Sequence, residues 1–279
     1  MENRNLDPKT VSSFGDEWSR FDQSGMSDTE ATKIFLEYFS VFPWKNIPES
    51  SQGFDMGCGS GRWARFVAPR VAMLHCVDPS DALQVARRNL VDFDNISYHN
   101  ASADTVDLPA ESQDFGYSLG VLHHVPDTDA AIASCVRLLK PGAPLLLYLY
   151  YKLENRPWWF RAIWGASDFI RKMVILLPPT LKHLVTDCIA ALVYFPLARM
   201  SRIINSLGFN VSNIPLSYYK DNAFYTMRTD ARDRFGTPLE KRFSKDEMRE
   251  SMENSGLENI IFSDAAPFWC AVGFKAERN

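Results

Sequence analysis

A chain of 279 residues with 46% hydrophobic and 23% charged side chains can bury a large core, which excludes a disordered or fibrous protein. Thirty Lys and Arg against thirty-four Asp and Glu leave a net charge of −4 at pH 7, the wrong sign for a protein built to grip nucleic-acid phosphates. The length suits one α/β domain carrying an insertion.

Aromatic residues at 14, 18 and 21 and an apolar cluster over Ile34 to Trp44 have helical spacing. From Gly53 the pattern changes to short apolar runs: Gly53 to Met56, Met73 to Val77, Ile96 to His99, Asp114 to Leu119 and Pro144 to Tyr151. These read as strands. Arg62 to Ala68, Asp81 to Asn89 and Asp127 to Leu139 read as helices between them, and the alternation predicts a parallel sheet. Ser80 and Asp127 are expected N-caps, and Lys140-Pro-Gly142 ends the third helix. Trp158 to Gly208 is apolar, aromatic and interrupted by prolines, which predicts a helical insertion. The α/β pattern resumes at Ser244 and Glu247, a capping box, and two last strands are expected at Glu258 to Ser263 and Trp269 to Ala276.

The five cysteines are scattered singly, so no structural metal site and no disulfide are expected. The polar segment Met1 to Thr10 reads as no signal peptide, and a cytoplasmic location is expected. The longest clean apolar run, Cys188 to Ala198, is broken by Pro196 and is too short for the ~20 residues of a membrane span.

Between the first strand and helix lies Phe54-Asp-Met-Gly57-Cys58-Gly59-Ser-Gly61-Arg-Trp63. Three glycines here let a ligand approach the backbone at a helix N-terminus. A nicotinamide fingerprint would place its third glycine one residue later, and a phosphate-binding P-loop would need Lys-Ser or Lys-Thr after the loop. Asp78 ends the second strand, where a carboxylate can accept from both hydroxyls of a ribose.

Strand, G-x-G-x-G, helix, strand and Asp together resemble the class I S-adenosylmethionine-dependent methyltransferases. Ala103-Asp104, Asp114-Phe-Gly-Tyr-Ser-Leu-Gly120-Val-Leu-His123-His124 and Arg137-Leu-Leu-Lys-Pro-Gly142 match in the same order, with Ala143 in place of a second glycine. The resemblance covers roughly 50–151 and 243–276 and is nearest to the small-molecule branch with the ubiquinone and menaquinone enzymes. It implies a Rossmann-like doubly wound sheet of seven strands in the order 3-2-1-4-5-7-6, the last antiparallel. The chain then divides into an amino-terminal helical cover (1–49), a cofactor-binding core (50–152 and 243–279) and a helical cap inserted over 153–242.

The resemblance implies S-adenosylmethionine as cofactor. Asp55, Gly57, Cys58, Gly59 and Gly61 would line its amino-acid end, Asp78 its ribose, and Pro79, Ala103 and Asp104 its adenine, with Gly120 beside the loop. Trp18 would close the other side through an aromatic face. His123 and His124 are candidate bases for an acceptor hydroxyl, and Tyr151 is a third catalytic candidate at the ligand-binding sheet edge. Tyr150 shares that edge as a substrate candidate. Arg228 and Arg232, read as part of a charged loop, are candidates for an anionic substrate group, and Trp158 for an apolar one.

The cap is expected to be a lid with a core-facing stripe. Dimerisation or a membrane surface are the alternatives, the latter weakened by the lack of a dense basic face. The expected activity is methyl transfer to N, O or C of a small molecule such as a sugar, a lipid-linked intermediate or a natural product. A cofactor-binding protein without transfer, or an enzyme using the cofactor for another reaction, are the alternatives. The expected partner is a small-molecule substrate, with no nucleic acid, at most peripheral membrane contact, and a monomer or homodimer.

Overall fold

The computed structural model describes residues 5–277. The chain forms two compact units: one takes the chain up to Asp22, Thr32–Lys152 and everything from Leu239, the other Gln23–Ala31 and Leu153–Pro238. This departs from the expected division, because Gln23–Ala31 joins the second unit and the return to the sheet comes at Leu239 instead of 243.

The first unit holds β1 (Gln52–Met56), β2 (Met73–Val77), β3 (Ile96–His99), β4 (Phe115–Leu119), β5 (Pro144–Tyr148), β6 (Leu257–Phe262) and β7 (Cys270–Lys275). Their order across the sheet is 3-2-1-4-5-7-6. Pairs among β1 to β5 are parallel, and β7 runs antiparallel to both β5 and β6. The fifth strand stops at Tyr148, three residues before its expected end. The central strands β1, β4 and β5 are buried along nearly their whole length, as expected of the middle of a parallel sheet. β1 and β4 approach through reciprocal glycines. A Cβ on Gly53 would lie 2.4 Å from the Phe115 ring, and one on Gly116 would lie 2.1 Å from the Phe54 ring.

Helix α1 (Pro8–Arg20) starts at Asp7, whose side chain accepts from the Lys9 amide, with Pro8 in the first turn where its missing N–H costs nothing. It packs on α4 (Ala82–Asn89), beyond α2 (Asp28–Tyr38) and the short α3 (Ala64–Val67). Asp81, not Ser80, is the cap residue of α4; the Ser80 hydroxyl still accepts from the Ala82 amide but donates to Asp78. Helix α5 (Thr128–Leu138) is capped by Asp127 as expected.

In the second unit, α6 (Trp158–Val174), α7 (Pro179–Ile189), α8 (Phe195–Ser206) and α9 (Phe224–Gly236) surround a core of Val174, Ala190, Tyr194, Ala198, Met227, Ala231 and Phe235. Glu30 caps α9, accepting from the Ala223 amide at 3.0 Å and from the Thr226 hydroxyl at 2.8 Å. Residues 226–236, expected as a charged loop, are therefore helical. Their charges are absorbed by partners that the local sequence does not show.

Pro179–Ser206 is one continuous helical element of 28 residues, long and apolar enough to cross a membrane by length and composition. The break expected at Pro196 does not occur. The five residues Ala190–Tyr194 are wound as a π-helix directly before it, which loosens the hydrogen-bond ladder where proline cannot donate. Back in the first unit, α10 (Lys245–Asn254) opens with the predicted Ser244–Glu247 capping box and packs against α5.

Candidate active site

The loop after β1 is held by its own neighbours. The amides of Gly57 and Cys58 both donate to the Val77 carbonyl, at 2.7 and 3.0 Å, tying the loop to the end of β2. Gly57, Gly59 and Gly61 have φ of +79°, +54° and +79°, a region that favours glycine. A Cβ on Gly57 would meet Val121 at 2.4 Å, and one on Gly61 would meet Leu90 at 2.6 Å. Trp18 of α1 stands over the loop, its indole nitrogen 3.2 Å from where a Gly59 Cβ would be.

Asp78 is buried, and both of its oxygens accept hydrogen bonds. It accepts from the Gly59 amide at 2.9 Å, from the Ser80 amide at 2.9 Å and from the Ser80 hydroxyl at 2.6 Å. Burial raises its carboxyl above the usual range, and these donors oppose the shift. The expected ribose ligand is thus also a brace of the loop.

Asp55, the penultimate residue of β1, is 1% exposed, and neither carboxylate oxygen has a partner of good hydrogen-bond geometry among the described residues. Its pKa is pushed up to about 8, chiefly by burial, with the nearby Tyr117 hydroxyl lowering it and the Asp78 charge raising it. Asp55 and Tyr117 are register partners across β1 and β4. Tyr117 is a site neighbour that residue-by-residue reading passes over; the strand order, had it been used to pair residues, points to it.

Cys58 is buried beneath the loop against Cys76, which, ahead of burial, raises its thiol. Pro79 is half-buried and Ala103 buried. Asp104 is exposed, and one oxygen accepts from the Ser102 hydroxyl at 2.5 Å.

After β4, Gly120 turns with φ +77° and its amide donates to the Tyr148 carbonyl at 3.0 Å. A short 3-10 turn, Leu122–His124, follows. His123 is 0% exposed, and both ring nitrogens lack a hydrogen-bond partner among the described residues. Its ring centroid is 3.9 Å from those of both His124 and Tyr150. Burial holds its pKa well below the ordinary 6.5, helped by His124 and Arg242, so the ring is neutral at pH 7.

The neighbouring histidine has a different task. His124 Nδ1 lies 2.6 Å from the Leu239 carbonyl oxygen, which can only accept, so that nitrogen carries the proton; the Phe14 ring packs edge-on at 5.0 Å. Of the two candidate bases, His124 is thus tied to the backbone and His123 is not.

Tyr151 does not join this cluster. Alternation after β5 turns its ring to Phe268 and Trp269, at 5.6 and 6.3 Å, while Tyr150 turns to His123. Arg242 stacks over Tyr150 at 5.3 Å, pairs with Glu240 at 2.9 Å and donates to the Tyr151 carbonyl. Sequence reading placed Arg242 in the insertion and missed it.

The remaining substrate candidates belong to the second unit. Arg228 forms a two-pronged pair with Asp187 at 3.0 and 2.9 Å, so its guanidinium is already occupied by a carboxylate. Arg232 is 1% exposed and lies where a Cβ on Gly236 would be, 1.8 Å from its Nη1. Arg228 is thus engaged by Asp187, and Arg232 is buried. Trp158 opens α6 and is 75% exposed.

The residues fit S-adenosylmethionine. The loop offers bare backbone at its three glycines, Gly57 and Gly61 cannot gain a Cβ without displacing Val121 and Leu90, and an orphaned carboxyl waits at the strand end. Among the described residues no cluster of metal ligands occurs.

Comparison with known proteins agrees with this geometry. A family model of a methyltransferase domain matches residues 54–147. A ubiquinone biosynthesis O-methyltransferase of Hahella chejuensis is 29% identical over 143 residues, 50% of this chain and 56% of the relative. The Sodalis glossinidius protein of the same name is 28% identical over 183 residues, 61% of this chain and 69% of the relative. The chain spans about half the length of most curated relatives it matches. Among solved structures, a complex between the Haloferax volcanii Trm112 methyltransferase activator and a candidate methyltransferase has a chain that matches with a TM-score of 0.53 at 16% identity, covering 95% of this chain and 99% of that one, a likeness of fold. Strand order, glycine loop, braced acidic residue and the matched domain converge: residues 54–147 form a methyltransferase domain, and the chain is similar in fold and cofactor loop to the class I S-adenosylmethionine-dependent methyltransferases.

Proposed function

We propose that the protein methylates a hydroxyl oxygen of a small molecule, with His123 taking the hydroxyl proton. The observation that carries this reading is the buried His123 imidazole, neutral and without a hydrogen-bond partner among the described residues, two residues after the Val121 that packs on Gly57. A neutral imidazole is the form that accepts a proton. The relatives' name, O-methyltransferase, supports oxygen over nitrogen or carbon as the acceptor atom. A sugar, a lipid-linked intermediate or a natural product remains the proposed acceptor class.

The cofactor supplies a methyl group on a cationic sulfur, already a strong electrophile. The protein's work is then to hold the acceptor in line, exclude water and remove a proton. Gly57 to Gly61 would carry the amino-acid end over the loop, Asp78 the ribose hydroxyls, and Pro79, Ala103 and Asp104 the adenine. Tyr150, packed on His123 and covered by Arg242, restrains the imidazole's orientation.

Calorimetry with S-adenosylmethionine and S-adenosylhomocysteine tests the cofactor, and absence of heat with both would overturn the reading. Transfer of labelled methyl to metabolite pools then identifies the acceptor. His123→Gln should lower kcat by roughly 10²–10⁴-fold with cofactor affinity retained; an unchanged kcat removes His123 from the chemistry.

A further inference from the structure

Sixteen of the twenty-one strongly exposed large apolar side chains among the described residues fall between Trp158 and Phe209, far more than scattered surface exposure explains. They are ordered. At about 100° per residue, the exposed Trp158, Trp159, Ile163, Phe169, Ile170 and Met173 of α6 fall within an arc of about 140°. Outside that arc Arg171 and Val174 are buried. The stripe predicted to face a core therefore faces outward.

The pattern continues along the chain. Leu176 is 76% exposed in the α6–α7 connection, and Leu184 and Leu192 are 60% and 75% exposed on the long element that follows. Between Leu181 and Pro196 no exposed residue of that element is charged: Lys182 is buried, with its ammonium toward the Gly236 carbonyl, and Asp187 is half-buried against Arg228.

Charge separates the possible occupants. Residues 153–206 hold seven Lys and Arg against three Asp and Glu, a net +4 in a chain whose total is −4. Arg161 and Lys172 are exposed on α6 at one border of its apolar arc. An apolar face with cations at its border and tryptophans at one end matches a lipid–water interface, where acyl chains, anionic headgroups and the amphipathic indole each find a partner.

We propose that the second unit docks on an anionic lipid bilayer, with α6 and the α7–α8 element lying in the interface and not crossing it. Crossing is opposed by the inner side of Pro179–Ser206, where Asp187 holds Arg228 and Arg199 donates to the carbonyls of Lys220 and Asn222 at 2.8 and 2.9 Å. Those groups fasten one side of the helix to its own unit, so lipid can reach only the other. The docking stands independently of the proposed methyl transfer.

Flotation of the full chain with phosphatidylcholine vesicles, alone and with roughly one third phosphatidylglycerol, tests the proposal. Binding is expected to the anionic vesicles and to fall with salt. Phe169→Ser and Leu192→Ser, both on outward positions, should each weaken it by about tenfold or more, and Arg161→Gln and Lys172→Gln by about fivefold each. Circular dichroism melts establish that the variants fold. Wild-type protein remaining entirely with the soluble fraction overturns the proposal. So does a dimer by light scattering that Phe169→Ser dissociates without vesicle binding, since a second copy then covers the face. Calorimetry with the cofactor is read separately, so failure of docking and failure of the methyltransferase reading are distinguishable.

Discussion

Asp55 makes a prediction that needs no substrate. Its carboxyl, ordinarily near 3.8, is raised to about 8 by burial, with Tyr117 and Asp78 as smaller influences. A group raised in the folded state binds its proton more tightly there than in the unfolded chain. Its contribution is therefore fully present below the unfolded value and is lost as pH rises through the folded one. His123 acts in the opposite sense. Held neutral by burial, it costs stability as pH falls below its ordinary 6.5, and His75, lowered to about 4, does the same. The two slopes oppose each other on the acid side, so the Asp55 effect stands clear between about pH 6.5 and 8.

One proton per molecule gives about 1.4 kcal/mol per pH unit, and allowing for half-titration near pH 8, the ligand-free protein should lose about 1.5–2 kcal/mol over that window. That corresponds to a fall in Tm of about 3–8 °C for a unit of this size. Asp55→Asn replaces the neutral acid by a neutral group of the same shape. It should melt above wild type already at about pH 6, where the unfolded wild-type carboxyl is ionised, and by a wider margin at about pH 8. Melting of both proteins across this range by circular dichroism is the assay. Equal losses of Tm in the two proteins would refute the assignment of the proton to Asp55.

Asp78→Ala removes the acceptor of the Gly59 amide and both Ser80 bonds, so it should both destabilise the protein, by about 2–4 kcal/mol in denaturant melts, and abolish measurable S-adenosylmethionine binding in calorimetry. Gly57→Ala forces a side chain into φ +79° and onto Val121, and urea unfolding should show a loss of about 2–4 kcal/mol. The Arg228–Asp187 pair is about 30% exposed on each side, so a double-mutant cycle to Ala should give a coupling of only about 0.5–1 kcal/mol that shrinks with salt; a null value would show the pair to be energetically silent.

The sheet was legible because its signals are local. Apolar runs with turn residues between them placed six of the seven strands within a residue or two, and β5 missed only at its far end, where Leu149 to Tyr151 leave the ladder. The glycine loop and Asp78 were legible for the same reason: positive φ and a sheet-edge carboxylate are properties of single positions. What the sequence hides is pairing. Arg228 looks like a solvated loop charge until α7 brings Asp187 to it, and Tyr117 looks like one more strand residue until β1 sets it beside Asp55. Amphipathic spacing announced an apolar stripe on α6 but could not say which medium the stripe meets, since a buried and an exposed stripe have the same period.

The loop's bracing also bears on how the cofactor residues should be read. Asp78 is satisfied by protein donors, whereas Asp55 has an unmet carboxyl and a proton it holds to about pH 8. A ligand hydroxyl approaching Asp78 must share acceptors already in use, so its gain is limited to the remaining lone pairs. A cationic group approaching Asp55 meets the opposite situation: it restores the ionised carboxylate and relieves a buried polar group at once. Cofactor binding should therefore expel a proton near neutral pH. Calorimetry at pH 7 in buffers of different ionisation enthalpy would show that release in the wild type, and a release of the same size from Asp55→Asn would place the proton on another group.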